Sequence, residues 1–308
     1  MLLRQVLDVV DLLDHPCLPE SEFRQVFSAP GVRLQLDSVE TEAGRTLFFK
    51  LLIPGRQGRS SGGHAPSLGI IGYLGGIGAR PHRIGLVSDA DGCIAALAAG
   101  LKLLEMHRRE DLLDGDVIVT THITNTARVK EHYPVTFMES PVSPEIRNRM
   151  LVDEHMEAII SIDTTKGNRI INSRGFAISP TVLRGYILRV SEDLLQVQQD
   201  VTGRLPAVFA ITTQDITPYG NGLFHLNSIL QPATATAAPV VGVGITSETA
   251  VSGAATGASQ AIDIEQAARF AVEIAKGYGR GSLRFYDPEE FARLVALYGS
   301  MEHLQRLP

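Results

Sequence analysis

The feature that most constrains the fold is a change of pattern at Leu68. From there, short and wholly apolar runs alternate with helical spacing: LGIIGYL, a helix over about 90–107, DVIVTTHI, a helix over about 145–156, and AIISID. Strands this apolar are buried on both faces, and parallel strands joined by crossover helices bury them best. The alternation continues through a helix near 191–202, a strand AVFAITT, a helix over 221–231, a strand PVVGVGI and a long helix over 262–278. The expectation is a three-layer α/β/α fold around a mainly parallel or mixed central sheet, with its core spanning 68–278.

Before that core, Leu3, Val6, Leu7, Val10 and Leu13 recur at three- and four-residue steps, which predicts an amphipathic helix ending ahead of His15-Pro16. Residues 32–53 read as a hairpin about Glu42-Ala43-Gly44, because apolar and polar positions alternate on both sides of a turn-compatible glycine. Helix and hairpin together make an N-terminal portion, 1–55. RQGRSSGGHAP, 56–66, has loop composition but is too short for a domain linker. A last helix over 288–299 reads as an element appended to the surface. The 44% hydrophobic content supports a core of this size, so residues 1–308 are read as a single α/β domain.

Composition removes several classes of partner. With 28 basic against 34 acidic residues, a net charge of −6 and no basic run, the chain has no footprint for nucleic acid. No stretch reaches the roughly 20 apolar residues needed to cross a bilayer. The N-terminus mixes charged with apolar positions where a signal peptide would carry an unbroken apolar run. Cys17 and Cys93 are too few for a disulfide framework or a thiolate zinc site. The expectation is a soluble, cytoplasmic protein with no membrane partner and a small-molecule or peptide substrate. The outer faces of the first and last helices are the surfaces on which a homo-oligomer would form.

In open α/β sheets, ligands bind beyond the carboxyl ends of the strands. The polar residues found directly after apolar runs are Tyr73, Ser88-Asp89, His122, Asp163 and Thr213-Gln214-Asp215. Asp89 and Asp91 open a helix, and either can cap it or offer a hard carboxylate to a divalent cation. His122 is either a satisfied core imidazole or a metal ligand or base. Lys166 follows Asp163 closely: it makes an ion pair at a turn, or it holds Asp163 ionised or binds a substrate carboxylate. His82 lies between Arg80 and Arg83 in a loop with anion-binding capacity. The polar segment 212–229 brings Gln214, Asp215, Asn221 and His225 together, either as turn chemistry opening a helix or as a recognition loop for an amide or amino-acid substrate. It is no nucleotide loop, since a Walker Lys-Ser/Thr and a GxGxxG after a strand are both missing from the sequence.

Several of these strings resemble known families. DADGCIAALAAGLKLLE resembles the strand-to-helix turn of dinuclear zinc aminopeptidases and related deacylases, and AIISIDTTKGN resembles their later ligand-bearing strand. The run from GFAISP through ITTQDITPYGNG to PVVGVGI is similar to the closing half of the glutamyl-aminopeptidase-like branch. The resemblance implies a zinc-aminopeptidase-like core, with Asp89 on the bridging aspartate and Asp163 on the terminal carboxylate ligand. It also implies ligands that this chain lacks. The place of the His-x-Asp reads Tyr73-Leu74-Gly75, that of the Glu-Glu pair reads His122-Ile123-Thr124-Asn125-Thr126, and that of the final His reads Thr246-Ser247-Glu248. Only the 15 residues between Tyr73 and Asp89 stand where that branch inserts a further domain. GYLGGIGARPHRIGLVSDADG, SIDTTKGN, GFAISPTV, RVSEDLL and TTQDITPYGNG resemble, along nearly the whole chain, a bacterial family catalogued as domain of unknown function 1177. That family brings no reaction with it.

Two functional classes stay open. One is a divergent peptidase or amidohydrolase on small peptide- or amino-acid-derived substrates. There Asp89, His122 and Asp163 hold one divalent metal ion or act as acid and base, and His82, Asp91, Lys166, Gln214, Asp215, Asn221 and His225 orient the substrate. The other is a non-catalytic small-molecule or peptide-binding protein on the same fold.

Overall fold

A computed structural model describes residues 1–18, 20–73, 77–131, 136–211, 226–251, 253 and 256–305. The chain begins with helices α1 (Leu3–Leu13) and α2 (Glu20–Val26) and the hairpin β1 (Arg33–Thr41) and β2 (Gly44–Ile53). There follow β3 (Leu68–Gly72), α3 (Asp91–Arg108), β4 (Val117–Ile123), the short pair β5 (Arg128–Lys130) and β6 (Phe137–Glu139), α4 (Pro144–Leu151) and β7 (Ala158–Thr164). The remainder is β8 (Gly175–Ile178), β9 (Val182–Leu183), β10 (Tyr186–Ile187), α5 (Glu192–Thr202), β11 (Val240–Thr246), α6 (Ala261–Gly279) and α7 (Pro288–Tyr298).

One nine-stranded mixed sheet runs in the order β1-β2-β4-β3-β7-β11-β9-β10, with β8 also paired to β11. Its centre is the parallel tract β4-β3-β7-β11, every residue of which is buried. This is the wholly apolar signature expected of strands covered on both sides. The antiparallel β2 closes one edge of the tract, and β8 and β9 pair with β11 at the other.

Helices cover both faces. α1, α3, α5 and α6 build the larger core against Ile70, Val117, Val119, Ile160, Ile162, Val241 and Val243. α4 and a 3₁₀ segment, Ser228–Thr234, build the smaller core against Phe48, Ile71, Tyr73, Ile118 and Ile159. α3 lies directly on the sheet because the first half of its sequence, DGCIAALAAG, is mostly small residues. A Cβ added at Gly92 would stand 2.7 Å from the Ile162 carbonyl, and one at Gly72 would stand 2.9 Å from Cys93 Cα. Such contacts leave room only for glycine, and they fix the start of α3 at the carboxyl ends of β3 and β7.

Three expectations change. The helix read over 145–156 stops at Leu151, where Val152 takes an extended conformation. The strand read from AVFAITT is reduced over its described residues to a single bridge, Val208 to Ile178. The edge of β11 is already taken by β8, so this run pairs only through the Ile178 amide and carbonyl. The helix read over 221–231 falls partly outside the described residues, and from Ser228 the structure is 3₁₀. No described helix is long and apolar enough to cross a membrane.

Candidate functional site

Register brings three of the predicted positions into one row. Gly72 is level with Thr121 on β4 and with Ile162 on β7, and the Tyr73 amide continues the ladder by donating to the Ile162 carbonyl at 2.8 Å. Tyr73 therefore stands level with His122 and Asp163, and Asp163 is itself level with Gly244 of β11. Parallel neighbours at one level share a face. The contacts agree: the Tyr73 ring meets the His122 ring edge-on at 5.9 Å, and Phe48, paired with His122 across β2 and β4, stacks on its other side at 6.1 Å. The row reads Phe48, His122, Tyr73, Asp163, at the carboxyl rim and on the α4 side. Tyr73, His122 and Asp163 are all buried.

Burial sets the charge state of the two rings. It presses the His122 imidazole down to about 3, assisted by the positive Arg147, so the ring is neutral near neutral pH. It pushes the Tyr73 phenol up to about 12, with Arg147 pulling down and Asp163 adding to the rise. Asp163 accepts a hydrogen bond from the Thr164 amide at 2.6 Å.

Arg147, absent from the residues expected of the sequence, roofs this row. Its guanidinium lies 5.5 Å from the centre of the Tyr73 ring and donates to Gln231 at 3.3 Å. Other polar atoms on this side are sealed from solvent without a hydrogen-bond partner among the described residues. They include the Ser161 hydroxyl one step back along β7 and both ends of the Asn227 amide. A buried polar atom left so destabilises a fold by about 1–3 kcal/mol, which is why such atoms gather where something else binds.

The other predicted residues fall elsewhere. Asp91, the first residue of α3, forms an ion pair with Lys166 at 3.1 Å and accepts a hydrogen bond from Ser259. Burial raises its carboxyl above the usual range, while Lys166 and Ser259 pull it back. The charge of Lys166 is thus committed to Asp91. Asp89 is half-buried in the 3₁₀ turn Ser88–Ala90, with its amide donating to the Gly253 carbonyl at 3.2 Å. The residue capping α3 is Ala90, so neither aspartate takes that place. His82 is exposed, outside the buried row. Gln214, Asp215, Asn221 and His225 lie outside the described residues.

The zinc centre implied by the aminopeptidase resemblance does not fit these side chains. Among the described residues no three His, Cys, Asp or Glu side chains are grouped closely enough to hold an ion. β3 separates β4 from β7, which puts the backbones of His122 and Asp163 roughly 9–10 Å apart at ordinary strand spacing. The ring of Tyr73 stands between them. Among the described residues Asp89, His122 and Asp163 are not gathered with any further ligand into a set that could hold a metal ion.

These features define a three-layer α/β protein with a buried polar row at the carboxyl rim of a parallel tract. The chain belongs to the family described as "Protein of unknown function (DUF1177)", whose model matches residues 37–307. No curated protein matches it in sequence. Among solved structures it is similar to a glutaminyl cyclase of Macrostomum lignano, at 12% identity and a TM-score of 0.42, over 92% of this chain and 93% of that one. It is also similar to a glutaminyl cyclase of an Acidobacteriales bacterium, at 11% identity and a TM-score of 0.48, over 91% and 94%.

Proposed function

We propose that the protein is an amide-cleaving enzyme of the peptidase or amidohydrolase kind, acting on small peptide- or amino-acid-derived substrates at the row Tyr73, His122 and Asp163. The observation that carries this reading is the gathering of buried polar side chains at one level and on one face, at the end of the sheet where open α/β folds bind ligands. In this reading water adds to the amide carbonyl as Asp163 takes its proton, the Tyr73 hydroxyl donates to the developing oxyanion, and the proton passes on to the departing amine. His122, neutral, orients substrate or water by hydrogen bonding.

A second reading, recognition without turnover, is favoured by one observation. His122 at about 3 and Tyr73 at about 12 both lie far from neutrality, where a side chain exchanges protons least readily. The two readings separate in one experiment. Dipeptides and N-acyl amino acids are incubated with the protein and with Asp163→Asn, and released amine is measured alongside the thermal shift each compound produces. The enzyme reading expects amine release that falls at least about 100-fold in the variant. Thermal shifts without amine release would establish the binding reading, and neither signal would remove both.

A further inference from the structure

Several basic side chains near the sheet have an acidic partner: Lys50 has Asp153, Arg59 has Glu157 and Lys166 has Asp91. Arg147 does not. Among the described residues no carboxylate forms an ion pair with it, its Nε is sealed from solvent without a hydrogen-bond partner, and its hydrogen bond to Gln231 is long at 3.3 Å. It projects from α4, whose Ile146, Met150 and Leu151 pack on the same core as Tyr73. The guanidinium is thus held by packing over a neutral aromatic ring, and among the described residues no carboxylate lies within ion-pair distance of it. A partly buried cation in that state is stabilised strongly by an arriving anion, and the planar fork of arginine matches a carboxylate oxygen for oxygen.

We propose that Arg147 docks a carboxylate of the ligand, which narrows the substrate class to small amides bearing a free carboxylate, such as N-acyl amino acids and dipeptides. This rests on the reading of the rim as the substrate site. A doubly charged phosphate suits the place less well: one guanidinium balances one charge, Lys166 is engaged elsewhere, and Asp163 stands in the same row.

The test is binding, which keeps it apart from turnover. N-acetyl derivatives of glycine, leucine, glutamine and phenylalanine, each as free acid and as primary amide, are compared by thermal shift and calorimetry at about 10 mM, with inorganic phosphate alongside. The unaltered protein should bind at least one acid about 10-fold or more tighter than its amide. Arg147→Met should abolish that preference, and Arg147→Lys should retain part of it. Acids and amides binding alike, no acid binding at all, a preference that survives Arg147→Met, or phosphate binding as well as the acids would each overturn the proposal. Acids and amides binding alike to the unaltered protein would overturn the proposal even if Arg147→Met does not fold, and Arg147→Lys then serves as the second variant. Acid-selective binding lost in Arg147→Met but accompanied by no amine release from any compound would sink the hydrolase reading alone. Equal turnover and binding of acids and amides would sink this proposal alone.

Discussion

The ammonium of Lys166 lies 3.1 Å from a carboxylate oxygen of Asp91, and the two side chains are only 9% and 1% exposed. The pair ties the segment after β7 to the first turn of α3, and Ser259 completes it from the segment before α6. Removing one member of such a pair strands a buried charge and destabilises a fold by about 3–5 kcal/mol. Lys166→Met should lower the urea midpoint accordingly, and Lys166→Met with Asp91→Leu should recover much of the loss. A single variant as stable as the parent would mean that the pair is solvated in solution.

The close seat of α3 on the sheet makes a second expectation. Gly92→Ala introduces a methyl group 2.7 Å from the Ile162 carbonyl and 2.9 Å from Asp163 Cα, and neither backbone atom can yield without moving β7. Such overpacking destabilises by about 1–3 kcal/mol or more. Because the clash falls on the residue before Asp163, ligand binding at the rim should weaken along with the denaturation midpoint. Gly62→Ala is the control for added bulk, since open space surrounds that position, although its φ of +79° carries a backbone strain of its own of about 1 kcal/mol.

How much of this was legible in the sequence varies with the scale of the interaction. The parallel tract was readable because LGIIG, VIVTTHI and AIISIDT each open on an apolar run with no alternation of polar residues, and that pattern survives any tertiary arrangement. The strand order was not: β3 precedes β4 in the chain but lies between β4 and β7, and nothing local sets this. So Tyr73, which reads as a mere replacement for a lost ligand, turns out to stand between His122 and Asp163. β9 and β10 are two residues long and carry no periodicity to detect. Arg147 sits in PEIRNRML, where Arg147 and Arg149 look alike. Only the packing of Ile146, Met150 and Leu151 decides that Arg147 turns over Tyr73 while Arg149 faces solvent.

The two thiols should differ sharply in reactivity. Cys17 is exposed, whereas Cys93 is buried in α3 and its thiol is pushed up to about 12, by burial against a smaller opposing hydrogen bond with Thr121. The thiolate is the reactive form, so a disulfide reagent at pH 8 should label one thiol per chain in the native state and two after denaturation. Rapid native labelling of both would place Cys93 in a part of α3 that opens readily.

The last expectation concerns acid. The His122 ring titrates near 3 in the folded chain against 6.5 when unperturbed, so as the pH falls the unfolded chain takes up that proton first. Its contribution to stability is therefore complete above about pH 6.5 and drains as the pH drops toward 3, at a limiting slope of about 1.4 kcal/mol per pH unit. Carboxylates also titrate at the acid end of this window, which makes the comparison with a variant the informative quantity. His122→Gln keeps a polar side chain of similar reach but has no proton to gain. Between pH 5 and 6.5, its denaturation free energy should depend on pH less steeply than the parent's, by up to one proton. Parallel slopes for the two proteins across that interval would show that the imidazole meets solvent in the folded state, and the neutral, hydrogen-bonding part assigned to it beside Tyr73 would have to be given up.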